Sequence, residues 1–345
     1  MDASQTHRDS DQWLRDLRRR AADAATPYLA PFGRYALGPL SFSLSGCKHD
    51  RLQTLVGSLL PATSEPTRNE LRIDVVHGST PAGAPPRWNL PHSDVRHLER
   101  LHLSADGTLA AQYNEDLSSW LILDHSEDRG LLWIEELQKL PAWDIASPFK
   151  TLFHWYLAPT ELFIVHAGAV AADETATLLI GPGGAGKSTT VAIAASKGMS
   201  VFGDDLVIVG EHRGTTEVFS LYNAIKLNPA AAIPKSLMIA SGAGFRCADK
   251  MAYRYADLGP DRLGRSAPLG AIAQSVVSGR PESTVGQSHP AQLLRALAPS
   301  TLFLLRGFER RTLAKISALV RAFPGFDLQL GGDPDGVARA LRQIA

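Results

Sequence analysis

An apolar run, Ala176–Ile180, leads into Gly181-Pro182-Gly183-Gly184-Ala185-Gly186-Lys187-Ser188, and a helix-forming stretch follows to about Lys197. The octet matches G-x-x-x-x-G-K-[ST], and no other feature of the chain restricts its fold as much. The glycines let successive backbone N–H groups turn toward one anion. Lys187 is placed to reach the outer phosphates of a nucleotide, and the Ser188 hydroxyl to ligate Mg2+. The following helix points its positive end at the same phosphates. A glycine-rich turn with no ligand is the plain alternative, but a strand entering and a helix leaving argue for nucleotide binding. The expected contacts are Gly181, Pro182, Gly183, Gly184, Ala185, Gly186, Lys187, Ser188 and Thr189, with ATP and Mg2+ as cofactors.

Ser200–Phe202 reads as a second short strand, running into Gly203-Asp204-Asp205. Strand, glycine loop, helix and strand make a βαβ unit with its chemistry at the strand ends. Asp204 then stands where such proteins keep a magnesium-side carboxylate. Asp205 adds a carboxylate able to take the proton of an incoming hydroxyl. Two neighbouring carboxylates also raise one another's proton affinity until a cation arrives. Asp-Asp after a strand is common turn chemistry as well, but a P-loop lysine just upstream favours function. His166 closes the apolar run Glu161–Val165 ahead of Gly168 and, taken alone, reads as a hydrogen-bonded core residue. Lys226, Arg246, Lys250 and Arg254 each read singly as solvated charges, although any of them is a candidate phosphate clamp.

Three segments precede or enclose this unit. Residues 1–27 form an amphipathic helix carrying Trp13, Leu14 and Leu17 among arginines, ended by Pro27. Docking to a partner or a membrane surface is one use for it. Packing on its own domain is favoured, because Asp9, Asp11, Asp16 and Asp23 dilute the positive charge. Residues 28–145 alternate apolar and polar in short runs, with Asp106-Gly107 as a hairpin turn and a helix near Asp50–Leu60, so a mostly antiparallel, β-rich α+β domain is expected. It bears no chemical motif, and substrate or partner binding stands level with a purely structural or oligomerising role. Residues 146–345 form the α/β nucleotide-binding domain, opening with a helix capped by Ser147 with Pro148 at its first position.

Composition narrows the partners. Lys+Arg and Asp+Glu number 35 each, so no overall basic field is available for nucleic acid or an anionic membrane. No apolar stretch approaches the roughly 18 residues of a bilayer span, and the charged N-terminus does not read as a secretory signal. Two cysteines 200 positions apart, Cys47 and Cys247, fit a reduced pair, and a cytoplasmic location is expected.

Together, His166-x-Gly168, the P-loop and Asp204-Asp205 resemble the catalytic domain of the HPr kinase/phosphorylase family, serine kinases that share a fold with phosphoenolpyruvate carboxykinase. The resemblance is good over His166–Val209 and looser over the remaining C-terminal half. It implies a catalytic set of His166, Lys187, Asp205 as the base, and Arg262 from Asp261-Arg262-Leu263-Gly264. Family members often assemble as homo-oligomers. One family segment, Glu-x-Arg-Gly-Leu-Gly, which supplies a magnesium ligand and contacts HPr, has no counterpart between Val209 and Lys250. Tyr222-Asn-Ala-Ile-Lys226-Leu stands in its place. The pattern is closer to HPr-kinase-related proteins of natural-product gene clusters, among them kinases that phosphorylate a serine of a lasso-peptide precursor. The expected function is γ-phosphoryl transfer from ATP to a hydroxyl, a peptide or protein serine foremost. A nucleotide-dependent regulatory ATPase and a small-molecule kinase are the alternatives.

Overall fold

The computed structural model describes residues 3–65, 70–90, 94–96, 99–228, 244–255 and 262–344. The chain forms two compact units. The first is Met1–Val56, Pro61–Ile145 and Phe149–Tyr156; the second is Gly57–Leu60, Ala146–Pro148 and Leu157–Ala345. The N-terminal helix thus belongs to the first unit, and two short segments from early in the chain belong to the second.

In the first unit, helix α1 (Ala3–Ala25) repeats its apolar residues on one face. Leu14, Leu17, Ala21 and Ala25 are buried with Val76, Leu109, Trp120, Ile122, Leu131 and Trp133, so the helix packs on its own domain. Each leucine so buried contributes about 2 kcal/mol. The buried Arg18 on this helix is held by Glu127, with Asp124 3.8 Å away. Strands β1 (Ala30–Leu37) and β2 (Leu40–Gly46) form a hairpin. Helix α2 (Asp50–Val56) follows, then β3 (Leu71–His77), β4 (Asp94–Arg96), β5 (Glu99–Leu103), β6 (Leu109–Asn114), β7 (Ser119–Asp124) and β8 (Arg129–Ile134). They make an eight-stranded sheet in the order β1-β2-β3-β8-β7-β6-β5-β4. Pairing is mostly antiparallel, as expected, but β3 lies parallel to both β2 and β8. Asp106-Gly107 turns β5 into β6. The Asp106 carboxylate accepts from Ser104 Oγ at 2.6 Å and from Thr108 N at 2.9 Å, and Gly107 takes φ +73°.

The helix expected to start at Ser147 begins later, at Lys150. A short α3 (Ala142–Ala146) ends first, Phe149 takes φ +57°, and α4 (Lys150–Leu157) starts after it. A left-handed residue cannot continue a right-handed helix, and Ser147 is left to serve another purpose.

The second unit opens with β9 (Leu162–Val165), β10 (Gly168–Ala171) and β11 (Ala176–Ile180), then α5 (Lys187–Ser196) and β12 (Ser200–Gly203). Next come β13 (Val207–His212), β14 (Thr215–Ser220), β15 (Ile225–Leu227), β16 (Phe245–Cys247), β17 (Lys250–Tyr253) and the long β18 (Ser266–Val277). The last elements are β19 (Thr284–Gln287), α6 (Pro290–Leu304), α7 (Glu309–Ala322), β20 (Gly325–Leu330) and α8 (Pro334–Ile344). The principal sheet runs β12-β10-β11-β18-β14-β13-β9, with β20 joining β18 to β19. Helices α5 and α8 cover one face through Val191, Ile193, Val337 and Leu341, and α6 and α7 cover the other through Leu293, Leu297, Ile316 and Val320. Strands β15, β17 and β16 form a separate small sheet.

One correction bears on the site. Gly168 opens β10, a strand absent from the expected unit, which lies between β11 and β12 and antiparallel to both. The expected strand–helix–strand unit is therefore present with an extra strand inserted. A Cβ on Gly168 would stand 3.0 Å from Val191 Cγ2, so the glycine permits α5 to lie close on the sheet.

Candidate active site

Three strand ends meet at one edge of the principal sheet. Strands β11 and β12 both end there and β10, antiparallel to each, begins there. The P-loop leaves β11, Asp204-Asp205 leave β12, and His166 precedes β10.

The loop's shape is set by glycine. Gly181, Gly184 and Gly186 take φ of +144°, +82° and +91°. A Cβ on Gly186 would stand 2.6 Å from Leu330 Cδ1, whereas one on Gly183 or Gly184 would meet nothing within 4 Å. The inner side is thus packed and the outer side is open. Gly186 is the N-cap of α5 and offers no side-chain acceptor, so the first-turn N–H groups are left for a bound anion. Lys187 is buried, with Nζ donating to Gly181 O at 2.7 Å and Pro182 O at 3.2 Å. Burial lowers its pKa, an effect opposed by the nearby charge of Asp205.

The Ser188 hydroxyl acts on Asp204 to lower its pKa. Asp204 is 2% exposed, and burial together with the neighbouring Asp205 raises its pKa to about 6. Asp205 differs. Its side chain is 26% exposed, with Oδ1 3.2 Å from His166 Nε2 and Oδ2 accepting from Lys226 Nζ at 2.5 Å. Burial alone would raise its pKa, but Lys226 and His166 outweigh that and hold it well below the usual carboxylate range. The aspartate pair is split in proton affinity and in exposure.

His166 is presented by a kink. Ala167 N donates to Val165 O at 3.1 Å, closing a three-residue turn around the histidine. The backbone N of His166 donates to Thr301 Oγ1 at 3.0 Å. Thr301 lies in the last turn of α6, which continues through Pro299. The His166 Nδ1 atom is buried without a partner among the described residues.

Lys226, expected as a solvated charge, is the main addition to the expected site. It lies at the middle of β15, paired with Ala252 of β17, and its side chain is 11% exposed. Besides Asp205, its Nζ donates to Ser147 Oγ at 3.0 Å, and its backbone N donates to Asp204 Oδ2 at 3.2 Å. Tyr255 is fully buried near both aspartates, which add to the burial that raises its phenol pKa. Its hydroxyl has no partner among the described residues. A lone charged residue in Tyr222-Asn-Ala-Ile-Lys-Leu, flanked by the apolar Ile225 and Leu227, is the sequence signal for Lys226.

Arg262 is not brought to the loop. Its Nη1 donates to Gly198 O at 3.0 Å and its carbonyl accepts from Val201 N at 2.8 Å, at the C-terminal end of α5. That is a helix length, about 15 Å, from the P-loop. Asp261 lies outside the described residues.

No protein-family model matches the chain, and no curated protein matches it. Among solved structures, the Hpr(Ser) kinase/phosphatase from Coxiella burnetii is a distant likeness, with 11% identity and a TM-score of 0.29 over 52% of this chain and 94% of that one. No helix among the described residues is long and apolar enough to cross a membrane.

Proposed function

We propose that the chain is an ATP- and Mg2+-dependent kinase that moves the γ-phosphoryl group to a hydroxyl, a serine of a peptide or protein. The observation that carries this reading is the unequal aspartate pair beside the P-loop lysine. Asp204 is buried against Ser188, while Asp205 is held anionic and partly open to an acceptor.

The residues fit a magnesium ion. Burial and the neighbouring Asp205 raise the pKa of Asp204 to about 6 against the opposing charge of Lys226, so an added cation would favour its anion, and the Ser188 hydroxyl beside it is a second hard oxygen donor. No group of three or more His, Cys, Asp or Glu among the described residues could hold a metal alone, which suits an ion that completes its shell with phosphate oxygens and water. Ser188 and Asp204 would hold it, and it would supply charge neutralisation to the β- and γ-phosphates.

The chain's own groups perform the rest. The N–H groups of Gly183–Ser188 and the Lys187 ammonium bind the phosphates and stabilise the charge that develops on transfer. Asp205 accepts a hydrogen bond from the acceptor hydroxyl and aims its oxygen at phosphorus. In a loose transition state the O–P bond forms before the proton is fully lost, so a weakly basic carboxylate suffices to receive that proton late. His166 and Lys226 fix the carboxylate's orientation.

Incubation with γ-labelled ATP, Mg2+ and a panel of serine-bearing peptides tests the reading. Label recovered on a serine is expected. Release as inorganic phosphate alone, whatever the acceptor, would turn the assignment to a regulatory ATPase.

A further inference from the structure

Lys226 contacts both aspartates in different ways. Its backbone amide serves Asp204, while its ammonium serves Asp205, and Ser147 holds that ammonium from a second side. The lysine is fixed by β-pairing as well as by these bonds, since β15 and β17 set its register opposite Ala252. Both oxygens of Asp205 are thereby engaged, one by the ammonium at 2.5 Å and the other by His166 Nε2 at 3.2 Å.

This arrangement bears on how many metal ions the site can take. We infer that Lys226 is a built-in monovalent cation that removes Asp205 from metal coordination, so that the site holds one divalent ion, on Ser188 and Asp204, rather than two. The inference rests on the kinase reading and adds its metal stoichiometry and a positioning residue.

The physical reason is charge crowding. A divalent cation ligated by Asp205 Oδ2 at about 2.1 Å would stand within about 4.5 Å of the ammonium already bound there. Like charges at that distance in a poorly solvated site repel strongly. Lys187 adds a second positive charge close to the pair, since both aspartates act to raise its pKa. The ammonium groups of Lys187 and Lys226 offset the two carboxylates in charge. On Asp204 the bonded group of Lys226 is the neutral peptide N–H, and the ammonium acts there only through space, so that carboxylate is the one left open to metal.

Mn2+ binding to the full chain, followed by electron paramagnetic resonance with a non-hydrolysable ATP analogue present, reads the stoichiometry without turnover. One Mn2+ per chain is expected for the unaltered protein and for Lys226→Arg. Lys226→Met, similar in shape but uncharged, is expected to gain a second Mn2+. Asp205→Asn, which keeps the volume should Lys226→Met fail to fold, is expected to keep one Mn2+ with affinity changed by less than about threefold, since it removes no metal ligand. Two Mn2+ in the unaltered protein, or a loss of about tenfold or more in Asp205→Asn, overturns this inference and leaves the kinase reading standing. No Mn2+ in the presence of the nucleotide overturns both.

Discussion

His166 Nε2 stands 3.2 Å from Asp205 Oδ1, although 39 positions separate the two residues in the chain (205 − 166). The contact exists because β10 runs between β11 and β12, so that the kink before β10 and the end of β12 reach the same edge of the sheet. It ties the orientation of the proposed proton acceptor to a histidine whose own backbone is anchored by Thr301.

The two aspartates are expected to fail differently. Asp205→Asn keeps size and hydrogen bonding but cannot take a proton, so kcat should fall by about 10²–10⁴-fold with ATP·Mg2+ affinity spared. Asp204→Asn should instead raise the Mg2+ concentration needed for half-maximal rate. Steady-state kinetics over a Mg2+ titration separate them. Full recovery of Asp205→Asn at saturating Mg2+ would show that Asp205 acts through the metal.

Lys187→Ala should abolish turnover, on the order of a hundredfold or more, because neutral amides alone leave the transferring phosphoryl under-compensated. The lysine also donates to Gly181 O and Pro182 O, so part of the loss can come from a loosened loop. Lys187→Arg keeps the charge and separates the contributions. Isothermal titration with ATP should show affinity partly retained in Lys187→Arg and lost in Lys187→Ala. Turnover of Lys187→Ala at the wild-type rate would remove the phosphate-binding role.

Much of this site is legible in the sequence because its motifs are local. The P-loop brings its own strand and helix, and Asp204-Asp205 follow the next strand within a short stretch. Lys226 is not legible in the same way, since its partner is chosen by the pairing of β15 with β17, a tertiary event. Strand β10 is short and made of Gly-Ala-Val-Ala, which reads as a turn until its pairing on both sides is seen. The β13–β14 hairpin has a readable local signal. Arg213-Gly214, with φ of +53° and +80°, is a two-residue turn between alternating runs. In the first unit, the hairpins are visible in turn chemistry, whereas the parallel placement of β3 between β2 and β8 has no local mark.

Glycine substitutions in the P-loop should separate packing from backbone strain. At Gly186 an added Cβ meets Leu330 Cδ1 at 2.6 Å and φ is +91°, so Gly186→Ala should cost about 2–4 kcal/mol from strain and overpacking combined. At Gly184 φ is +82° but nothing lies within 4 Å, so Gly184→Ala should cost about 1 kcal/mol from backbone strain alone. Urea unfolding of the two variants gives the comparison. Equal destabilisation would mean that the contact with Leu330 is relieved without cost.

The last prediction concerns acid sensitivity of the first unit. Burial lowers the pKa of His125 below 6.5, although the Trp155 carbonyl, 3.1 Å from Nε2, and the nearby Asp128 and Asp124 act to raise it. His77 is lowered too, by burial and by the neighbouring His49. A histidine that resists protonation when folded binds fewer protons in the native state than in the unfolded chain. Its contribution is therefore complete above pH 6.5 and is lost as pH falls from 6.5 through the folded pKa. Asp106 behaves in the opposite chemical sense within the same linkage. Hydrogen bonds from Ser104 and Thr108 lower its pKa to about 2, so its contribution persists above 3.8 and disappears between 3.8 and about 2. Because other carboxylates titrate in that range, the test is a difference. The unfolding free energy of the wild type minus that of His125→Gln should decline as pH falls below 6.5, and that of the wild type minus Asp106→Asn should hold until pH falls below about 4. A His125→Gln difference that stays flat from pH 7.5 to 5 would show that the imidazole titrates alike in both states.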